Sequence, residues 1–294
     1  GNSASDVPQI QGVASHDYPP SIQFGDGFTG YGTGAGDPFI QPWLSATYFA
    51  NDVIYLTKGK HNLTFGGDFR AAKNSPTFLG NQSGTFHFAA TETGLLGMES
   101  GNSMASFLLG QVDSATVNYY TSTVIDARQN SFAVFAGDVW RATPKLSISP
   151  GIRYEIDPPW YEANNRFAYF DPTTPNAGAG NLPGIVAYAG NGPGRSGKRY
   201  PESIWYKAFA PRIGVNYALR EDTVIRGGYG VYIDNVNMPG YQAGIAQDGY
   251  NTYASFGSSQ GGMQEAFNLS DGVPSTYPVP PQLTPTVDNG QNSP

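Results

Sequence analysis

The most regular pattern along the chain is an alternation of apolar and polar residues, which predicts β-strands. It is clearest in Leu146–Ile156, where the apolar side chains share one face and Ser, Gly, Arg and Glu share the other. A tight turn at Ala142–Lys145 joins this run to a second strand-like run, Ser131–Arg141. These three segments together predict a β-hairpin.

Two further hairpins have the same construction. One turns at Lys58–His61, with Asn62–Arg70 as its alternating second strand. The other turns at Arg220–Asp222, after the alternating run Phe209–Tyr217. Each of the three hairpins has a tight turn at one end and long connections rich in Gly, Pro and Asn at the other. This arrangement is typical of strand pairs in outer-membrane proteins.

The pattern fits two all-β architectures. A soluble β-sandwich also gives each strand one apolar and one polar face. Here, however, the polar faces carry Arg, Asp and Glu beside Gly and Ser, as a wet lumen does, and Tyr and Trp gather near strand ends. We therefore predict antiparallel hairpins of a partial β-barrel, or of a barrel-derived sheet, with about eight to ten strands and long loops.

The hairpins occupy the middle of the chain. We assign residues 43–234 to an antiparallel hairpin domain, residues 1–42 to a loop-rich N-terminal segment and residues 235–294 to a Gly/Pro-rich C-terminal extension. The N-terminal segment contains one short strand candidate, Ser21–Phe24. Asn102–Gly110 is the one predicted helix, because its apolar residues recur at helical spacing.

Composition supports the β assignment and removes several functions. Of the 294 residues, 38 are Gly and 23 are Pro, which disfavours a helical protein, and 14% are aromatic, which favours strands. The absence of cysteine excludes disulfides, thiolate metal sites and cysteine nucleophiles. A net charge of −7 without a basic cluster gives no electrostatic footprint for nucleic acid. No run approaches the roughly 18 apolar residues of a spanning helix, so membrane residence would require a barrel or the surface.

Motifs that could carry enzymatic chemistry lack the context that each requires. Gly25–Gly30 matches the dinucleotide fingerprint and Gly257–Gly261 the nucleophile elbow, but neither lies between a strand and a helix. Glu155, Asp157 and Glu162 could act as paired carboxylates, yet the sequence does not fix the distances between them. We predict a non-enzymatic protein without a catalytic, cofactor or metal site.

Contacts with ligands or partners are predicted at two aromatic pairs and in the tail. The aromatic candidates are Trp160, Tyr161, Trp205 and Tyr206, with anchoring of strand ends as the alternative role. The tail candidates favour an extended, polyproline-like chain and are Pro278, Pro280, Pro281 and Pro285. Oxygen-rich loops at Asp171–Asn176 and Asp234–Asn237 leave a calcium ion as a further alternative, although neither continues into a twelve-residue calcium loop.

Residues 131–155, SFAVFAGDVWRATPKLSISPGIRYE, resemble the strand, turn and strand signature of TonB-dependent outer-membrane receptors, especially the Oar-like group abundant in acidobacteria. Four further stretches agree with that group in order: Gly59–Arg70, Gly101–Gly110, Phe209–Tyr217 and Thr223–Tyr232. The resemblance covers roughly residues 20–240. It implies part of a barrel of about 22 strands that imports a large nutrient, but without the family's plug or TonB-contacting segment.

A partial barrel has two unpaired edges, which invite pairing with other chains. We therefore predict a structural β-protein that assembles with its own copies, by strand pairing, into an extracellular filament or tube. Its C-terminal tail is expected to be held by a neighbouring copy, because such tails are otherwise mobile. The alternatives are a segment of an outer-membrane transporter barrel that imports a large nutrient, and a soluble monomeric sandwich. Both leading predictions place the chain outside a Gram-negative cell or in its outer membrane.

Overall fold

The computed structural model describes residues 10–32, 43–77, 80–95, 98, 100–234, 249–277 and 279–284. This part of the chain is predominantly antiparallel β-structure with one short α-helix and a few single 3-10 turns, as predicted. In chain order its elements are β1 (Ser21–Phe24), β2 (Trp43–Lys58), β3 (His61–Pro76), β4 (Thr85–Phe88), α1 (Ser103–Leu108), β5 (Gln111–Val112), β6 (Ser114–Tyr120), β7 (Ala127–Thr143), β8 (Leu146–Ile156), β9 (Tyr161–Glu162), β10 (Ala168–Asn176), β11 (Leu182–Tyr188), β12 (Phe209–Ala218), β13 (Val224–Gly230), β14 (Asn251–Gly257) and β15 (Phe267–Asn268).

Six long strands form the main sheet, in the order β13-β12-β8-β7-β3-β2, and β9 pairs with the start of β7. The three predicted hairpins are confirmed as β2–β3, β7–β8 and β12–β13. Their turns lie at one end of the sheet, since His61 pairs with Trp140 and Leu146 pairs with Tyr217. Gly59 closes the first turn with a φ of 61°, in the left-handed region that favours glycine.

The connections at the opposite end build a second unit, which we call the loop module. It consists of β1, β4–β6, α1, β10, β11, β14 and β15. Its largest sheet has the order β1-β4-β6-β14, with β1 parallel to β4 and the other pairs antiparallel. The buried centre is apolar and contains Ile22, Phe86, Phe88, Val117 and Phe267. Burial of these side chains holds together segments that are far apart in the chain.

Helix α1 is short and is fixed by two side chains at its start. The side chain of Asn102 accepts a hydrogen bond from Ala105 N, and the carboxylate of Asp26 accepts from both the backbone and the hydroxyl of Ser103. Ser103 and Ser106 are buried, and Phe107 packs edge-on against Phe88 at 5.1 Å. Within the residues that the structure describes, no helix is both long enough and apolar enough to cross a bilayer.

The described residues contain fifteen strands, so the expected eight to ten were too few. The difference comes from the loop module, where β5 and β15 have two residues each and β1 and β4 have four. Runs this short cannot show a period-two alternation. Strand β14 lies within residues 235–294 of the sequence and pairs with β6 in the largest sheet of the loop module.

Candidate functional site

The two faces of the main sheet differ in chemistry. The six strands carry twenty exposed large hydrophobic side chains, and the pairing register assigns sixteen of them to one face. The four on the other face are Phe49, Tyr55, Val139 and Val224. We call the first the apolar face and the second the polar face. Within the described part of the chain, the apolar face is therefore a largely hydrophobic, uncovered surface, on which Asp52 of β2 is an exposed charged residue.

A ladder of ion pairs crosses the centre of the polar face. The guanidinium of Arg153 on β8 reaches over β7 and donates two hydrogen bonds to Asp68 on β3, at 2.8 and 3.2 Å. Its Nε lies 2.9 Å from Glu155 Oε1. One row further from the turns, Arg70 Nη2 lies 3.5 Å from Asp157 Oδ1 and donates to Ser131 Oγ at 3.2 Å. Each of these arginines is therefore matched by at least one carboxylate.

Small residues make room for this ladder. Ala133 is the residue of β7 between Asp68 and Glu155, so no bulky side chain blocks Arg153 there. The Phe135 ring lies beneath the guanidinium, 5.9 Å from its centroid to Arg153 Cζ. That ring leans over Gly66 on β3, where a Cβ atom would lie 2.4 Å from Phe135 Cζ and 2.8 Å from the Asp52 carbonyl oxygen.

A second arginine site lies closer to the free edge of β13. The side chain of Arg212 runs across Gly151, where a Cβ atom would lie 2.8 Å from Arg212 Nε. Beside it is an open groove of about 390 Å³, which is lined by Ser149, Arg212, Gly214, Gly228, Gly230 and Tyr232 among others. These residues all lie on the polar face. Gly214 pairs with Ser149 and Gly228, Arg212 pairs with Gly230, and Tyr232 is two positions after Gly230.

An ion pair lies on the apolar face close to the turns, and Lys73 and Arg128 at the loop end of the same face each pair with Asp126. His61 Nδ1 and Asp138 Oδ2 are 2.5 Å apart, and the His61 ring stacks on Trp140 with centroids separated by 5.8 Å. The stack covers part of the imidazole, while the Asp138 side chain is only 15% exposed. The imidazole thus shields the Asp138 carboxylate near the turn end of the apolar face.

The four aromatic residues predicted as contacts have different surroundings. Trp160 packs against the buried cluster of Ile125 and Phe167, and Arg199 Cζ lies 4.0 Å from the centroid of the Tyr161 ring. Trp205 and Tyr206 are 57% and 58% exposed. The second pair is therefore available for a ligand or partner, whereas the contacts of the first pair lie within the chain.

The described part of the predicted assembly tail lies against the same chain. The Tyr277 ring stacks on Tyr119 with centroids 4.0 Å apart, and Gln282 N donates to Gly249 O at 2.6 Å. Pro280 and Pro281 lie between these two contacts. The other two tail candidates, Pro278 and Pro285, fall outside the described residues.

The three carboxylates considered for paired chemistry have separate partners. Glu155 contacts Arg153 and Asp157 contacts Arg70, as described above. Glu162 is fully buried and accepts hydrogen bonds from the backbone N–H groups of Asp126, Asn164 and Arg166, at 2.7–3.2 Å. The Arg166 guanidinium adds a fourth at 3.0 Å, and the Asn164 side-chain amide adds a fifth at 3.4 Å. Glu162 therefore fixes the start of the loop after β8, a role that the sequence did not indicate.

The elbow-like motif Gly257–Gly261 joins a hydrogen-bonded cluster in the loop module. Ser258 Oγ donates to Asp113 Oδ1 at 2.7 Å, and His87 Nδ1 lies 3.2 Å from Asp113 Oδ2. Because hydroxyl and imidazole both contact the carboxylate, this is not the arrangement of a nucleophile with its base. Burial raises the pKa of Glu92, and the neighbouring Asp113 carboxylate adds to that shift. Burial alone would also raise the pKa of Asp113, but hydrogen bonds from Ser258, His87 and Glu92 lower it.

Asp171, one of the oxygens considered for calcium, is already bonded within its own turn. Its carboxylate accepts hydrogen bonds from the hydroxyls of Thr173 and Thr174, at 2.7 and 2.9 Å. These bonds hold the pKa of Asp171 well below its usual range. Among the described residues, no group of three or more His, Asp or Glu side chains is placed to hold a metal ion.

Comparison with known proteins identifies a family. The family described as outer membrane beta barrel domain matches residues 1–293 of the chain. No curated protein and no solved structure matches it. The similarity thus extends over nearly the whole chain at the level of the family.

Proposed function

Because the chain belongs to the outer membrane beta barrel domain family, we propose that its main sheet forms part of the wall of a barrel that spans the outer membrane. In this arrangement the apolar face meets lipid hydrocarbon and the polar face lines a water-filled lumen. The observation that carries the proposal is the sixteen-to-four division of exposed large hydrophobic side chains between the two faces. Such a surface is stable against lipid and is an aggregation liability in water.

The ends of the sheet agree with this orientation. All three hairpin turns lie at one end, and the loop module lies at the other, as short periplasmic turns and long outer loops do. On the apolar face, Trp140 and Tyr217 lie near the turns, and Tyr48 and Tyr154 lie near the loops. Aromatic side chains in these positions suit the two membrane interfaces.

We further propose that the barrel is of the TonB-dependent receptor type and takes up a water-soluble nutrient. The support is the order of the five receptor-like stretches, together with a polar face that carries charged side chains along β3 and β8. Strands β2 and β13 each have a partner on one side only among the described strands. Because an open edge is not tolerated in lipid, further strands have to close the barrel in this proposal.

The two open edges also favour a second candidate, assembly of copies into an extracellular filament. Strand β2 is sixteen residues long and offers its outer backbone groups to a partner strand along its length. In this candidate, β2 of one copy pairs with β13 of the next copy. The apolar face would then be covered by neighbouring copies instead of lipid.

Membrane fractionation followed by electron microscopy separates the two candidates. The barrel proposal predicts protein in the outer-membrane fraction that is extracted only with detergent and forms discrete particles. Regular filaments or tubes obtained without detergent would contradict it and support assembly. Truncation after Val273 gives a second test. If the C-terminal tail joins neighbouring copies, the truncated protein should form no filaments; if the tail does not join copies, the truncated protein should still be found in the outer-membrane fraction.

A further inference from the structure

The arginines of the polar face are not equally neutralised. Arg153 contacts two carboxylates and Arg70 contacts one. Arg212 makes no ion pair or side-chain hydrogen bond with any of the residues that the structure describes. Within this part of the chain, none of the five N–H donors of its guanidinium is used.

The surroundings of Arg212 leave space for that partner. Its two neighbours across the strands are Gly151 and Gly230. Gly214 and Gly228, one row closer to the turns, extend the same gap, so no side chain from these four positions fills the groove of about 390 Å³. Glycine at these positions lets a solute approach the backbone closely.

Two hydroxyl groups line the same groove. Tyr232 is 85% exposed, and its ring lies over Gly230, where a Cβ atom would be 3.3 Å from the phenolic oxygen and 3.4 Å from Arg212 Cβ. Ser149 lines the groove on the side of β8. A guanidinium with two neutral hydroxyl donors is a set that suits the oxygens of a carboxylate or phosphate group.

The charge of the polar face has the sign that an anion requires. The strands of this face carry five arginines: Arg70, Arg141, Arg153, Arg212 and Arg226. Three partly exposed carboxylates, Asp68, Glu155 and Asp157, accompany them, and a fourth, Glu162 of β9, is fully buried. The chain as a whole has a net charge of −7, so the excess of positive charge is specific to this surface.

From these observations we propose that the Arg212 groove binds the carboxylate or phosphate group of a small anionic solute on its way along the polar face. The proposal rests on the barrel orientation above, because the groove must face water. Arg212 forms the bidentate contact, and Tyr232 and Ser149 orient the remaining oxygens. Arg153 is a weaker competitor, since three of its five N–H donors are already directed at Asp68 and Glu155.

The test is calorimetric titration of the chain folded in detergent, at low ionic strength, with citrate, inorganic phosphate and glucose as separate probes. We expect saturable binding of citrate or phosphate and none of glucose; citrate alone would identify a carboxylate site and phosphate alone a phosphate site. Arg212→Gln should weaken binding at least about tenfold, as expected for loss of a charge-assisted contact. Arg226→Gln, which removes an arginine of the same face that lies outside the groove and has no ion pair with a described residue, should leave binding unchanged.

Three results would overturn the proposal: no saturable binding of either anion, equal binding by Arg212→Gln, or an equal loss in Arg226→Gln. Circular dichroism of each variant shows that it has folded. A second measurement separates failure of the anion site from failure of the barrel orientation: Gly137→Cys, near mid-depth on the polar face, is labelled in vesicles with a charged, membrane-impermeant thiol reagent. If Gly137→Cys reacts while neither anion binds, the polar face is wet and only the anion site is wrong. If it does not react, the orientation itself is wrong.

Discussion

Replacement of Ile152 by arginine tests the environment of the apolar face at one well-defined point. Ile152 lies on β8, is 45% exposed and pairs with Ala136 on one side and Pro211 on the other. Neither neighbour is large, so a longer side chain can leave the face without a steric clash. The energetic effect of Ile152→Arg therefore reports what covers the face.

The magnitude follows from the depth of the residue. Ile152 is six residues beyond Leu146, where β8 begins, which corresponds to about 20 Å along the strand and, at a tilt of about 40°, to about 15 Å of depth. This lies near the middle of an apolar band about 25 Å tall, where arginine costs about 2–4 kcal/mol. Ile148, two residues from the same turn, lies about 5 Å deep, and its replacement by arginine should cost about 0–1 kcal/mol.

The assay is reversible denaturant unfolding of the protein in phospholipid vesicles, followed by tryptophan fluorescence. Thr64→Arg is the control on the polar face, because Thr64 pairs with Gly137 on β7 and the new side chain can extend toward that glycine, away from Tyr55 on β2. We expect a large loss for Ile152→Arg, a small loss for Ile148→Arg and a negligible change for Thr64→Arg. Equal losses for Ile152→Arg and Thr64→Arg, or no dependence on depth, would refute the assignment of the apolar face to lipid.

Three further substitutions test the interior contacts. Glu162→Gln should lower the free energy of unfolding by about 3–5 kcal/mol, because an amide cannot accept hydrogen bonds from all the donors that surround Glu162. The control Glu202→Gln, at an exposed residue, should change this free energy little. Equal effects of the two variants in thermal unfolding would contradict the role given to burial. Gly66→Ala should lower the free energy of unfolding by about 1–3 kcal/mol, because the new methyl group clashes with the Phe135 ring and the Asp52 carbonyl. Gly137→Ala is the control and should be tolerated, because the nearest atom to an added Cβ is 3.6 Å away. Urea titration measures both changes. Because the pKa of Glu92 is raised in the folded protein, its contribution to stability is present at acid pH and is lost as the pH rises through that pKa. Glu92→Gln should therefore melt at a higher temperature than the parent protein at pH 8 but not at pH 4. The same shift in melting temperature at both pH values would show that titration of Glu92 is not the cause.

The main sheet was predictable because its two faces meet different surroundings. The strand Leu146–Ile156, for example, alternates almost without exception, and a tight turn fixes its register. Strand β2 alternates less clearly, since Phe49 and Tyr55 occupy its polar face. The loop module was not predictable in detail, because short strands and buried polar anchors such as Glu162 leave no periodic signal.

The polar-face ladder was also beyond sequence reasoning. Asp68 and Arg153 are separated by 85 positions in the chain and lie on strands that are not neighbours. Their contact depends on the register of three strands at once and on a small residue, Ala133, between them. The isolated position of Arg212 depends in the same way on which glycines lie opposite it. Such pairs become visible only once the order of the strands is known.

Cysteine scanning along β8 shows directly which face of the main sheet meets lipid and which meets water. The chain contains no cysteine, so single substitutions from Leu146 to Ile156 can be labelled without background. In vesicles, the account predicts an alternation with a period of two: a charged, membrane-impermeant reagent labels odd positions on the polar face, and a lipid-borne reagent labels even positions on the apolar face. Uniform labelling of both faces by the water-soluble reagent would contradict it, because the apolar face would then not be in contact with lipid.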